Sequence, residues 1–205
     1  MKKIFCLLLV AVMLFSLCGC FGNEKGPEFS LGKTENSTYK NDFLGISCTL
    51  PADWVFYTDE QILALNNMVG EVLDEEAAAR LEQANIVYDM YAATRDAAKN
   101  ININMEKLNA LQLVSLNIKQ TLEAQIGSIK SAYQNMGYTD IHVEYQKVTV
   151  DGKEFDGLVL TAKIQGFDFY ATIFTFKKSN YLANVTVCSL QTDATKAILG
   201  YFTVQ

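Results

Sequence analysis

Residues 141–189 run IHVEYQKVTVDGKEFDGLVLTAKIQGFDFYATIFTFKKSNYLANVTVCS, and the joins in this stretch decide the fold. Four apolar runs, Ile141–Val150, Phe155–Ile164, Phe167–Lys177 and Tyr181–Ser189, are separated by tight breaks at Asp151-Gly152, Gly166 and Ser179-Asn180. Asp-Gly is a strong hairpin signal, because a type I′ turn needs positive φ at both central residues. Joins this short leave no room for a crossover, so neighbouring strands must run antiparallel. The stretch predicts a four-strand meander.

Upstream, Leu111, Val114, Ile118, Leu122, Ile126, Ile129, Tyr133 and Met136 recur every three or four residues, which predicts one long amphipathic helix. Asn109 as N-cap with Gln112 three residues on would start it, and Gly137 would end it. Before the helix, Ile86–Ala92 and Asn100–Met105 read as two strands joined by a polar turn. Ile101 and Ile103 alternate with Asn102 and Asn104, the period of a half-buried strand.

Further out, Phe43–Leu50 reads as a strand stopped by Pro51, followed by Trp54–Tyr57. Thr58 and Gln61 form a capping-box pattern opening a short helix, and Glu75–Ala84 suits a second, solvated one. A last helix is expected from Thr192 to about Tyr201. Strands in series with segregated helices make the class α+β, an antiparallel sheet of about six to seven strands flanked by helices. Residues 39–205 are expected to form one domain.

The N-terminus has a different character. Met1-Lys2-Lys3, an apolar run from Ile4 to Phe15 and then Ser16-Leu17-Cys18-Gly19-Cys20 follow the charged, apolar, small-residue order of an export signal. The apolar run is short of the roughly 20 residues a membrane span requires. Leu17-Cys18-Gly19-Cys20 also matches a bacterial lipobox, which predicts cleavage after residue 19 and a diacylglyceryl group on the Cys20 thiol. Two acyl chains give stable anchoring where one does not. The expected location is extracytoplasmic, on a membrane, with residues 20–38 as lipidated cysteine and flexible tether.

Removing residues 1–19 takes away Lys2 and Lys3 and no acid, leaving 15 basic against 23 acidic residues, a net charge of −8. That surface repels phosphate, and with no basic stripe nucleic acid is not an expected partner. Of five cysteines, Cys48 and Cys188 remain after processing and lipidation. Their neighbours differ, apolar for Cys48 and polar for Cys188, which argues mildly against a disulfide.

Motifs for chemistry are sparse. His142 is the only histidine and alternates outward on its strand, so any triad or histidine metal site would have to pass through it. No nucleophile elbow, phosphate loop, zinc helix or EF-hand loop occurs. Asp59-Glu60 and Asp74-Glu75-Glu76 fall in first helical turns, where negative charge complements the dipole. Asp151, Glu154 and Asp156 flank a hairpin, a weak calcium pattern but also ordinary turn chemistry. No enzyme activity, cofactor or metal is expected.

Rings occupy both faces of Phe167–Phe176, with Phe167 and Phe169 on one and Tyr170, Phe174 and Phe176 on the other. One face should lie under the long helix. The other needs cover from the remaining helices or forms an exposed patch that binds something, so Trp54, Tyr170, Phe174 and Phe176 are the candidate partner surface.

Tyr39 to Trp54, with Leu44-Gly45-Ile46-Ser47 and Leu50-Pro51-Ala52-Asp53-Trp54, resembles the start of PsbP/Mog1-like domains, and the likeness extends over residues 39–204. It implies an α/β/α sandwich around an antiparallel sheet. It also implies a non-catalytic accessory or protein-binding module, and together with the membrane anchor and the sparse motifs it makes an envelope protein the expected partner. No photosystem-contacting or GTPase-contacting residue of the named members maps onto a position here. A small-molecule or solute-binding lipoprotein, with a pocket between sheet and helices, is the alternative.

Overall fold

The computed structural model describes residues 29–64 and 86–205. Residues 1–28, which hold the expected export signal and Cys20, and the expected helix Glu75–Ala84 lie outside the described residues.

The meander forms as its turns predict. β7 (Thr139–Val150) and β8 (Lys153–Ile164) are joined by Asp151 and Gly152, with φ of 50° and 74°. Both values are positive, as a type I′ turn requires. Gln165 and Gly166 repeat that pattern before β9 (Phe167–Lys178), and Ser179-Asn180 leads into β10 (Tyr181–Leu190). β5 (Ile86–Thr94) and β6 (Lys99–Lys107) pair antiparallel, and β4 (Trp54–Phe56) adds at the β5 edge. The result is a seven-stranded antiparallel sheet in the order β4-β5-β6-β10-β9-β8-β7.

A second, four-stranded sheet has the order β1-β2-β3-β11, built from β1 (Lys33–Glu35), β2 (Thr38–Asn41), β3 (Ile46–Thr49) and the chain end, β11 (Phe202–Val204). Two expectations change here. Part of the expected tether is a folded edge strand, and Phe29 already stacks on Tyr181 with ring centroids 4.5 Å apart. The expected terminal helix shortens to Thr195–Leu199, because Phe202–Val204 gains strand partners on β3.

The long helix also divides. α1 (Ala110–Ser115) has the Asn109–Gln112 capping box, but Leu116 turns to ψ 114° and Asn117 caps α2 (Ile118–Asn135) by accepting from the Gln120 N–H. A second N-cap thus competes with continuation of the helix. Leu111 and Val114 are left exposed, Val114 at 88%. α2 keeps the apolar stripe, burying Leu122, Ile129 and Tyr133 against Val143, Leu158, Leu160, Phe169, Ala171 and Ile173. Each such side chain contributes about 1.5–3 kcal/mol.

The opposite face of the large sheet is covered by the small sheet and α3 (Thr195–Leu199), in a core that includes Ile46, Phe202, Ile101, Ile103, Val185 and Phe174. The layers are therefore helix, large sheet, small sheet. A bulge fastens the two sheets. The β5 register slips between Tyr88 and Met90, and the extra residue, Asp89, accepts from the Tyr39 hydroxyl, Asn41 Nδ2 (2.6 Å) and the Gly32 N–H (2.7 Å). Burial, and then the Asp89 charge beside it, pushes the Tyr39 hydroxyl well above its ordinary pKa. It stays a proton donor.

Candidate functional site

β6 is central, with β5 on one side and β10 on the other, so both of its faces can be buried. Ile101, Ile103 and Met105 enter the core beneath the small sheet. Asn100, Asn102, Asn104 and Glu106 point to the α2 side, and all four are buried as well. The expected half-buried strand is buried on both faces.

The ladder continues this polar character onto β10. Asn104 lies opposite Tyr88 on β5 and Asn184 on β10; Asn102 lies opposite Tyr91 and Thr186; Asn100 lies opposite Ala93 and Cys188. Asn184 is opposite Thr175 on β9. The Thr175 hydroxyl donates to Asn184 Oδ1 at 2.8 Å, and Asn184 Nδ2 donates to Asn104 Oδ1 at 3.2 Å. That relay ends at Asn104 Nδ2, which has no hydrogen-bond partner among the described residues.

The same holds for Asn100 Oδ1, both amide atoms of Asn102, the Thr186 hydroxyl and the Tyr88 hydroxyl. Asn102 is 2% exposed and Thr186 0%. A buried polar atom left without a partner destabilises by about 1–3 kcal/mol, and most native proteins contain few. Here six sit on one face of three adjacent strands. Burial raises the Tyr88 hydroxyl to about 12, so it too is neutral at physiological pH.

Beside the row, Tyr57 meets Tyr91 edge-on with centroids 4.4 Å apart, and Ile62 packs on Tyr91 and Ala93. Thr58 and Gln61 form the expected capping box above this end. Three asparagines alternating on one strand, where Asn is disfavoured, were the signal available in the sequence.

The candidate partner rings are placed differently from one another. Phe174 is 0% exposed, between Phe155, Phe176 and Phe202, and Trp54 is buried edge-on to Tyr201. Phe176 is half-buried against the same core, and Tyr170 is half-buried. The cover this face needed comes from the small sheet, so Phe174 and Trp54 offer no surface to a partner.

His142 is exposed on the edge strand, 3.8 Å from Glu144. Cys48 and Cys188 lie in separate cores on opposite sides of the large sheet and form no disulfide; burial raises the Cys48 thiol to about 12. The hairpin acids diverge: Asp151 accepts from the Val204 N–H at 3.0 Å, and Asp156 pairs with Lys147 at 2.8 Å and Tyr145. No group of three potential metal-ligating acids, cysteines or histidines converges among the described residues.

A family model described as PsbP-like protein matches residues 25–182, most of the chain. The chain belongs to the PsbP-like family. That agrees with the resemblance carried by Tyr39–Trp54. No curated protein matches. Among solved structures, the PsbP-like chain is similar to a Bacteroides thetaiotaomicron protein at 10% identity and a TM-score of 0.43, covering 84% of this chain and 49% of that one. It thus spans about half of that protein's length. It is also similar to LpqN, described as involved in cell envelope biogenesis of Mycobacterium tuberculosis, at 9% identity and a TM-score of 0.42, covering 78% of this chain and 83% of LpqN.

Proposed function

We propose that this PsbP-like chain is a membrane-anchored, extracytoplasmic accessory module that works by binding rather than catalysis. Family membership supports the accessory role. The lipobox ending at Cys20 supports the location. An envelope protein is the proposed partner.

Metabolic labelling with an alkyne fatty acid tests the anchor. Wild-type chain should label and sediment with membranes, and Cys20→Ala should do neither; a labelled Cys20→Ala chain rejects the assignment. Cross-linking in intact cells tests the accessory role. A discrete cross-linked envelope protein, lost when the chain is released by Cys20→Ala, is expected. A pattern identical to that of an unrelated secreted domain counts against it.

A further inference from the structure

We propose that the end of the domain where Phe29 enters it is a contact surface for anionic lipid headgroups, formed by Lys33, Lys40, Lys107, Lys177 and Lys178 with Leu31. This rests on the reading that Cys20 is the membrane anchor, and it names the surface that meets the bilayer.

Chain length sets which end can reach the membrane. Phe29 follows Cys20 by nine positions, and at about 3.6 Å per residue such a link spans at most about 32 Å. Phe29 itself is fixed to the domain. Its ring stacks on Tyr181 and meets Phe43 edge-on at 5.4 Å, and the next residues are held by Asn41 Nδ2 donating to the Ser30 carbonyl at 3.4 Å and by the Gly32 N–H donating to Asp89. Tyr181 opens β10 opposite Lys178, the last residue of β9. From there back to Phe167, β9 rises about 36 Å at about 3.3 Å per residue. A domain turned over, with Phe167 against the bilayer, would lift Phe29 beyond the reach of its link. The Tyr181 end is the one that can rest on the membrane.

The chemistry of that end fits headgroups. The strand ladder sets Lys107 and Lys178 on either side of Tyr181, with Lys177 next in the chain, and Lys107 and Lys177 are exposed. Lys33 and Lys40, both exposed, stand directly opposite each other on β1 and β2. Like charges so placed destabilise a strand pair, and a shared phosphate would relieve them. Among the acids at this end, Asp42 pairs with Lys40 at 2.7 Å, Asp89 is turned onto Tyr39 and Asn41, Glu106 is buried, and Asp151 and Glu154 lie at the β7–β8 turn beside Lys153. Leu31, 50% exposed, adds an apolar side chain of the kind that enters the headgroup boundary. From Cys20 onward the chain carries 15 basic against 23 acidic residues, so an anionic bilayer repels most of the surface and turns the lysine end toward itself.

Cys48 and Cys188 are buried, so the chain from Cys20 onward can be coupled through the Cys20 thiol to a maleimide-headgroup lipid in vesicles. Trp54→Phe, which keeps a ring against Tyr201, clears the background for a reporter at either end of β9, Asn180→Trp or Asp168→Trp. Quenching by a nitroxide-headgroup lipid is read. With phosphatidylglycerol in the vesicles, the Asn180→Trp reporter should be quenched several-fold more strongly than Asp168→Trp, and more strongly than in phosphatidylcholine alone. Each lysine at an anionic surface raises the occupancy of contact by about fivefold. Lys107→Glu with Lys177→Glu should therefore return the Asn180→Trp signal to its phosphatidylcholine level, and Lys107→Gln with Lys177→Gln should fall between. Equal quenching of the two reporters, or an Asn180→Trp signal indifferent to phosphatidylglycerol and to the glutamate pair, overturns the proposal. The coupling does not depend on acylation in the cell, so failed Cys20 labelling counts against the anchor alone and failure here against the lipid surface alone.

Discussion

Under α2 the large sheet presents Leu158, Leu160, Phe169, Ala171 and Ile173, whereas on β6 and β10 the same face presents Asn100, Asn102, Asn104, Asn184 and Thr186. The two halves are equally buried, every one of these side chains lying at 2% exposure or below. Their chemistry is opposite. In the first half burial is the driving force, about 1.5–3 kcal/mol for each large side chain. In the second, burial opposes folding wherever an amide or hydroxyl lacks a partner. The apolar half makes the domain, and its burial offsets the cost of the polar half.

Removing packing from the apolar half tests this division most severely. Phe169 is wedged against Tyr138 and Tyr133, with centroids 5.0 and 5.8 Å away. Phe169→Ala should lower unfolding free energy by about 3–5 kcal/mol in a urea titration. A loss below about 1 kcal/mol would mean that α2 adds little to the fold.

The boundary between the halves is the Thr175–Asn184–Asn104 relay. Thr175→Val removes the donor to Asn184 Oδ1 while keeping the shape, and should destabilise by about 1–2 kcal/mol. No loss on that substitution would show that the relay is already broken and that the polar half begins at β9.

The smallest expected effect is acid sensitivity at the exposed margins. Thr94, the largest influence, and the Ala98 N–H hold the Asp96 carboxyl below its ordinary pKa. At Asp156 burial works upward, but hydrogen bonds from Lys147 and Tyr145 outweigh it and leave the carboxyl below its ordinary value. A depressed carboxyl contributes stability above its unfolded pKa of about 4 and loses it as pH falls through the lower folded value. Unfolding midpoints should hold from about pH 7 to 5 and decline below about pH 4. Asp96→Asn with Asp156→Asn should flatten that decline.

Local signals in the sequence carried most of the framework. Asp151-Gly152, the Asn109–Gln112 capping box and the alternation through 141–189 each depend on neighbours a few residues away, and each forms as expected. Signals that depend on distant cover were less legible. The break at Asn117 escaped the apolar period because Leu111 and Val114 keep the spacing while facing water. The candidate site escaped it as well. Alternation along β6 reads as water on one side, and only three asparagines in a row hinted otherwise.

By itself, then, the sequence determined the hairpins and their register and the class of fold, because turn dihedrals and side-chain periodicity are properties of contiguous residues. Only the tertiary structure decided which faces are inside. It folded β11 from the chain end onto β3 to cover Phe174, and it set β6 between β5 and β10 so that Asn102 and Asn104 became buried. Burial is a property of what the rest of the chain lays over a residue, and no local pattern contains it.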